Sequence, residues 1–136
     1  MQLLDHVSIT VRELARAKPF YRAVMAALGA PEAYDEPRAI GFGARNRAGD
    51  DSHSYLSVFE SPAAQPDPRR HWCFRAASAA QVDACFAAGL AAGGTDDGAP
   101  GLRPNYHAAY YAAFLRDPEG NRVEFACHGG ENTKPA

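Results

Sequence analysis

The chain has 136 residues and a formal net charge of −2, and its 46% hydrophobic, 22% charged and 10% aromatic content is that of a globular protein, which argues against disorder and against a nucleic-acid-binding surface. One domain of this length buries about two-thirds of its unfolded surface, so folding requires neither a disulfide nor a structural metal. No apolar run approaches the ~20 residues of a membrane span, and the opening residues lack the basic-then-apolar order of a signal peptide; a cytoplasmic protein with no membrane or nucleic-acid partner is expected, and Cys73, Cys85 and Cys127, odd in number and without CxxC spacing, are expected to be free thiols.

Residues 5–11 alternate strictly, so Val7, Ile9 and Val11 share one face of a strand while His6, Ser8 and Thr10 share the other. Phe20, Val24 and Leu28 then recur every four residues, with Tyr21 and Met25 widening the stripe and Gly29 placed to cap the end, which predicts an amphipathic helix. Pro19 cannot donate a backbone hydrogen bond, so the regular part is expected to begin near Lys18 after a looser turn over 14–17. Apolar runs at 39–42 and 55–59 flank a turn-rich stretch at 45–51, as in a hairpin. Three prolines between Pro62 and Pro68 mark a connector at about 61–68, between a first module at about 3–60 and a second at about 69–128.

Past the connector the first pattern returns with a constant offset of 65 residues: His6 falls on His71, Ile9 on Phe74, Tyr21 on Phe86 and Gly29 on Gly94. An internal repeat of a strand and a helix follows, with a histidine at the same strand position in each copy. Ser78 and Gln81 fit a capping box that starts the second helix, predicted over 79–92. Residues 110–115 and 122–127 flank Asp117-Pro-Glu-Gly-Asn121, which reads as a hairpin turn. Val123 and Phe125 share the apolar face of the last strand, which turns Glu124 to the side of His6 and His71. The tail, 129–136, has no periodicity and is expected to be mobile.

Two imidazoles and a carboxylate on three strands, opposite the apolar stripes, are the ligand types of a zinc or non-haem iron site with open positions. A histidine on a polar strand face is more ordinarily a hydrogen-bonded structural residue, and Glu124 could equally pair with Arg75 or Arg122. Cys73 and Arg75 share the face of His71, and an arginine there is suited to a substrate carboxylate. Tyr106, His107, Tyr110 and Tyr111 crowd the approach to the next strand; by parity Tyr110 goes with Phe114 and Tyr111 with Leu115, and either pair could face the hollow. His53 and His128 read as surface residues.

DHVSITV followed by FY and LG, a second His-headed strand followed by AAGG, and DPEGNRVEF together resemble the vicinal oxygen chelate superfamily, which includes glyoxalase I, extradiol dioxygenases and bleomycin-resistance proteins. The resemblance covers nearly the whole chain. It implies an α+β fold of two βαβββ modules that form a curved mixed sheet around a central cup, helices outside, in a single domain. It also implies a divalent ion (Zn, Fe, Mn or Ni) held by His6, His71 and Glu124, with Glu124 as a catalytic proton shuttle. The fourth ligand position falls on Ser57, where glyoxalase I-like members carry a carboxylate; a serine hydroxyl is a poor ligand for such ions. Ser57, Phe59, Cys73, Arg75, Tyr106 and Tyr110 are the candidate substrate contacts.

Three functions remain open at this point. The first is a metal-dependent lyase, isomerase or dioxygenase acting on a small substrate with vicinal oxygens. The second is a metal-free binder of small molecules of the bleomycin-resistance type, and the third a structural protein with a vestigial cup. A homodimer is expected in each case.

Overall fold

The computed structural model describes residues 1–129 and orders them as β1 (His6–Val11), α1 (Leu14–Leu28), β2 (Glu32–Glu36), β3 (Ala39–Ala44), β4 (Ser54–Glu60), β5 (His71–Arg75), α2 (Ala79–Ala91), β6 (Thr95–Leu102), β7 (Tyr111–Arg116) and β8 (Arg122–Cys127). Expectations for 130–136 lie outside the described residues. The fold is α+β, and its two βαβββ modules each supply one four-stranded mixed sheet, ordered β1-β4-β3-β2 and β5-β8-β7-β6. In each sheet the first strand runs parallel to the fourth, and the remaining pairs are antiparallel. Ser8 lies opposite Ser57 in one ladder and Cys73 opposite Glu124 in the other, so Ser57 and Glu124 occupy equivalent places in the duplicated module.

Alternation decides what each face carries. Ile9, Val11, Ile40, Leu56 and Val58 from the first sheet join Ala113, Leu115, Val123 and Phe125 from the second in one buried cluster with Phe20, Val24, Val82 and Cys85 of the helices. The core therefore lies between the helix pair and the apolar faces of both sheets. Each fully buried side chain of this kind contributes about 1.5–3 kcal/mol. On the opposite faces stand His6, Ser8, Thr10, His71, Cys73 and Arg75, all exposed. The helices approach closely at Gly89, where an added Cβ would lie 2.3 Å from Leu115 and 3.1 Å from the Phe20 ring.

Helix α1 is held at both ends by the other module. At its start, Glu119 accepts the backbone N–H groups of Arg12 (2.6 Å) and Glu13 (2.7 Å), and Glu60 accepts that of Leu14 (3.0 Å). Negative charge there also complements the helix dipole. Near its middle the buried Tyr21 hydroxyl donates to Asp117 (2.6 Å), and that carboxylate, 1% exposed, also accepts the backbone N–H groups of Glu119 and Asn121. At its end Gln81 Nε2 donates to the carbonyls of Ala27 (3.3 Å) and Leu28 (3.0 Å). Gly29 closes the helix in the left-handed region, at φ 82°.

Two expectations, for the start of α1 and for His53, need correction. Helix α1 is regular from Leu14, not from Lys18, and takes Pro19 into its interior; the carboxylates at its start and the burial of Leu14 and Ala17 offset the hydrogen bond that proline cannot make. Strands β2 and β6 had no sequence signal, because EAYDE and TDDGAPGL are polar or broken by Gly and Pro, as edge strands are. His53 is not a solvated surface residue: its side chain is 11% exposed and pairs with Asp5. The capping box formed as expected at Ser78, whose Oγ accepts from Gln81 N (3.2 Å), although the glutamine reaches back to Ala77 N (2.7 Å) rather than to the capping residue itself. All three cysteines are free.

Candidate active site

Val123 and Phe125 must face the core, so strand geometry forces Glu124 onto the opposite side. There it is buried, 3% exposed, and held by two donors. The Tyr110 hydroxyl lies 2.5 Å from Oε1, and His71 Nε2 lies 3.1 Å from Oε2. Parity at the paired tyrosines is thereby decided: Tyr110 packs with Ala112, Phe114 and Ala126 on this face, while Tyr111 turns to α2 and donates to Asp83 (2.6 Å).

Burial, then the hydrogen bond to Glu124, pushes the Tyr110 phenol well above its usual range. Cys73 is exposed as a residue, but local desolvation of its thiol and then the charge of Glu124 push that group up to about 12. Both groups therefore keep their protons at neutral pH. His71 is the part of the cluster that meets solvent, its side chain 38% exposed against 4% for Glu124. A carboxylate that accepts from Nε2–H fixes the imidazole's orientation and tautomer and leaves Nδ1 with the free lone pair.

The corresponding corner of the first module is arranged differently. His6 Nδ1 pairs with its neighbour Asp5 (2.6 Å), and its ring stacks on Tyr55 at 4.7 Å and 5°. Asp5 also pairs with His53. The Asp5 carboxyl is held below its usual range by those histidines, and His53 is raised by the Asp50 carbonyl and then by Asp5. Ser57 is buried, and the Tyr34 hydroxyl lies 2.7 Å from its Oγ. The Tyr34 ring covers Gly41, where any Cβ would lie 2.1 Å from it. Neither Tyr34 nor Asp5 was singled out from sequence: the only signal for Asp5 was its place beside His6, and Tyr34 sat in the unrecognised strand β2.

The structure thus brings together His71, Glu124, Tyr110 and Cys73, and leaves His6 with Asp5 and Ser57 with Tyr34. Phe59 is exposed, as is Tyr106, whose ring packs 4.8 Å from that of Tyr110. Among the described residues no three His, Cys, Asp or Glu side chains are grouped to hold a metal ion. Of the expected ligands, His71 and Glu124 contact each other, whereas His6 is paired with Asp5 through Nδ1 and is not grouped with them.

A cleft of about 530 Å³ opens between the modules beside this cluster. Met25, Leu28, Phe42, Leu56, Trp72 and Phe74 line its apolar wall, and His6, Tyr55, His71, Cys73 and Arg75 its polar rim. A few polar groups converging on a mostly apolar cleft of this size suit a small organic ligand.

Paired βαβββ modules with a cleft between them define a class of small α+β proteins. The same architecture occurs in a glyoxalase/bleomycin resistance protein from Albidiferax ferrireducens T118, 28% identical, covering 90% of this chain and 97% of that one with a TM-score of 0.77. A glyoxalase/bleomycin resistance protein/dioxygenase family enzyme from Burkholderia phytofirmans PsJN (22% identity, 92% and 98% coverage, TM-score 0.67) and a lactoylglutathione lyase from Agrobacterium tumefaciens (22%, 93% and 93%, 0.60) share the fold. The chain belongs to the Glyoxalase/Bleomycin resistance protein/Dioxygenase superfamily, whose description it matches over residues 3–125. No curated protein sequence matches it.

Proposed function

We propose that this protein is an enzyme of the lyase or isomerase type that moves a proton on a small carbonyl compound with neighbouring oxygens, and that it does so with side chains alone. The observation that carries this reading is the His71–Glu124 pair: an exposed imidazole that lines the cleft, held from behind by a buried carboxylate. His71 Nδ1 takes the proton from the carbon beside the carbonyl, and Glu124 stabilises the imidazolium that forms, so the carboxylate is a positioning residue rather than the group that meets substrate. Arg75 lies on the same strand face and rim; its planar fork of donors is matched to two adjacent oxygens, where the negative charge of an enediolate develops. Returning the proton to the neighbouring carbon, while the hydroxyl proton passes from one substrate oxygen to the other, completes an isomerisation.

Solvent-deuterium incorporation into α-hydroxy aldehydes and ketones, followed by proton NMR, tests this. Acceleration by the native protein, lost by a factor of about 10²–10⁴ in His71→Gln and unchanged after dialysis against EDTA, is the expected result. No acceleration with any such compound, or equal acceleration by His71→Gln, overturns the enzyme. The apolar wall of the cleft favours one second reading, a metal-free binder of small molecules. It predicts ligand-dependent thermal stabilisation that His71→Gln leaves intact.

A further inference from the structure

A second, smaller cavity of about 90 Å³ shares Trp72 with the cleft and is lined otherwise by Ser8, Thr10, Asp67, Arg70, Asn121 and Arg122, with Ile9 as its apolar member. It is formed where strand β1 of one module meets the start of β5 and β8 of the other. We infer that this cavity is an anion site, built to hold a carboxylate or phosphate group of the ligand whose carbonyl end lies at His71. That assignment to the ligand rests on the reading of the cleft given above; the existence of the anion site does not.

The argument begins with Arg122. Its Nε donates to Asp97 (2.6 Å) and its guanidinium lies 4.3 Å from the centre of the Phe114 ring. Those two contacts hold the fork in place, and among the described residues no group bonds its terminal nitrogens, so little freedom is lost when an anion binds. Arg70 supplies a second guanidinium, tied among the described residues only by a long 3.5 Å contact to the Gln65 carbonyl. Ser8 and Thr10, on the face of β1 that points away from the core, add two exposed hydroxyl donors. One carboxylate also lines the cavity. Asp67 accepts the backbone N–H groups of Arg69 (2.8 Å) and Arg70 (3.2 Å), and those bonds hold its carboxyl below the usual range. Arg122 and Arg116 share Asp97 (2.6 and 3.5 Å) and Arg70 stands beside Asp67, so three guanidinium groups face two carboxylates; that excess of one positive charge, together with the two hydroxyl donors, favours an anion over a cation. A cavity of this size admits a compact oxyanion and excludes a bulky one.

Position links the cavity to the cleft. His71 lies directly opposite Arg122 in the β5–β8 ladder, and Trp72 lines both hollows. A small molecule at His71 therefore has an anion-holding pocket one strand away, which narrows the substrate class to carbonyl compounds that carry a carboxylate or a phosphate.

Trp72 is the sole tryptophan, so its emission reports on the cavity directly. Titration of the full-length protein with inorganic phosphate and with acetate, at constant ionic strength, is expected to give a saturable change with at least one of them. Saturation by phosphate alone assigns a phosphate group, by acetate alone a carboxylate, and by both the shared oxyanion chemistry. Arg70→Gln and Arg122→Gln should each weaken binding about tenfold, the worth of one charged hydrogen bond. Asp67→Asn keeps an oxygen for the two backbone donors and removes the charge, so it should tighten binding several-fold. His71→Gln should leave the anion affinity unchanged, which separates this site from the acid–base pair. No saturable response to either anion, insensitivity to both arginine variants, weaker binding in Asp67→Asn, or loss of binding in His71→Gln would each overturn the inference.

Discussion

Glu124 sets the chemistry of the side chains around it. Its charge, added to burial, holds the Cys73 thiol at about 12 rather than 9.0, so Cys73 should react slowly with iodoacetamide at pH 8. In Glu124→Gln one of the two causes is gone and the thiol pKa falls, so alkylation, read by mass spectrometry, should become faster. The same shift has a consequence for stability. Between about 9 and about 12 the folded thiol keeps a proton that the unfolded one has lost, so the folded state binds more protons and stability falls as pH rises across that window. Buried Cys85, also raised to about 12 by burial, adds to the effect. Urea melts at pH 7 and pH 10 should show the loss, and it should shrink in Cys85→Ala relative to that variant's own value at pH 7.

At this scale the second half of the site was readable in advance, because alternation along β5 and β8 alone puts His71, Cys73 and Glu124 on one side. The first half was not. Nothing in the pattern of β1 distinguishes a histidine aimed at a shared centre from one that pairs with the aspartate beside it, and the choice made by His6 depends on His53 and Tyr55, which come from the loop and strand some 50 residues on.

Among the elements, α1 depends most on partners outside itself. Neutralising its cap in Glu119→Gln weakens two charge-assisted hydrogen bonds and should cost about 1–3 kcal/mol in a denaturant melt. By contrast Gly89→Ala, favourable in an isolated helix, should destabilise by about 1–3 kcal/mol, because its methyl would meet Leu115 and Val24 in a packed contact. Strongly periodic elements such as β1, α2 and β8 could be read directly. Strands β2 and β6 could not, since a strand at the outer edge of a sheet with few core-facing positions needs no apolar alternation; Tyr34 earns its place by lying across Gly41, a contact made between strands.

For the molecule as a whole, one apolar cluster spans both modules, so the repeat in sequence is not a repeat of independent folding units. Far-ultraviolet circular dichroism and Trp72 emission should report a single coincident unfolding transition. A fragment ending at residue 64 would lose Gln81, Asp117 and Glu119 together and should not fold by itself. No described helix is long and apolar enough to cross a membrane.

The clasp on α1 also orders events in time. Arg12 and Glu13 find their carboxylate acceptor more than 100 residues later, at Glu119, so during synthesis the first helix emerges long before its cap exists. At the usual pace of translation, about 5–20 residues per second, that wait lasts about 5–20 seconds. The amino-terminal half is thus expected to stay incompletely structured on the ribosome, with its aromatic stripe in need of shielding, until the last hairpin of the second module has been made.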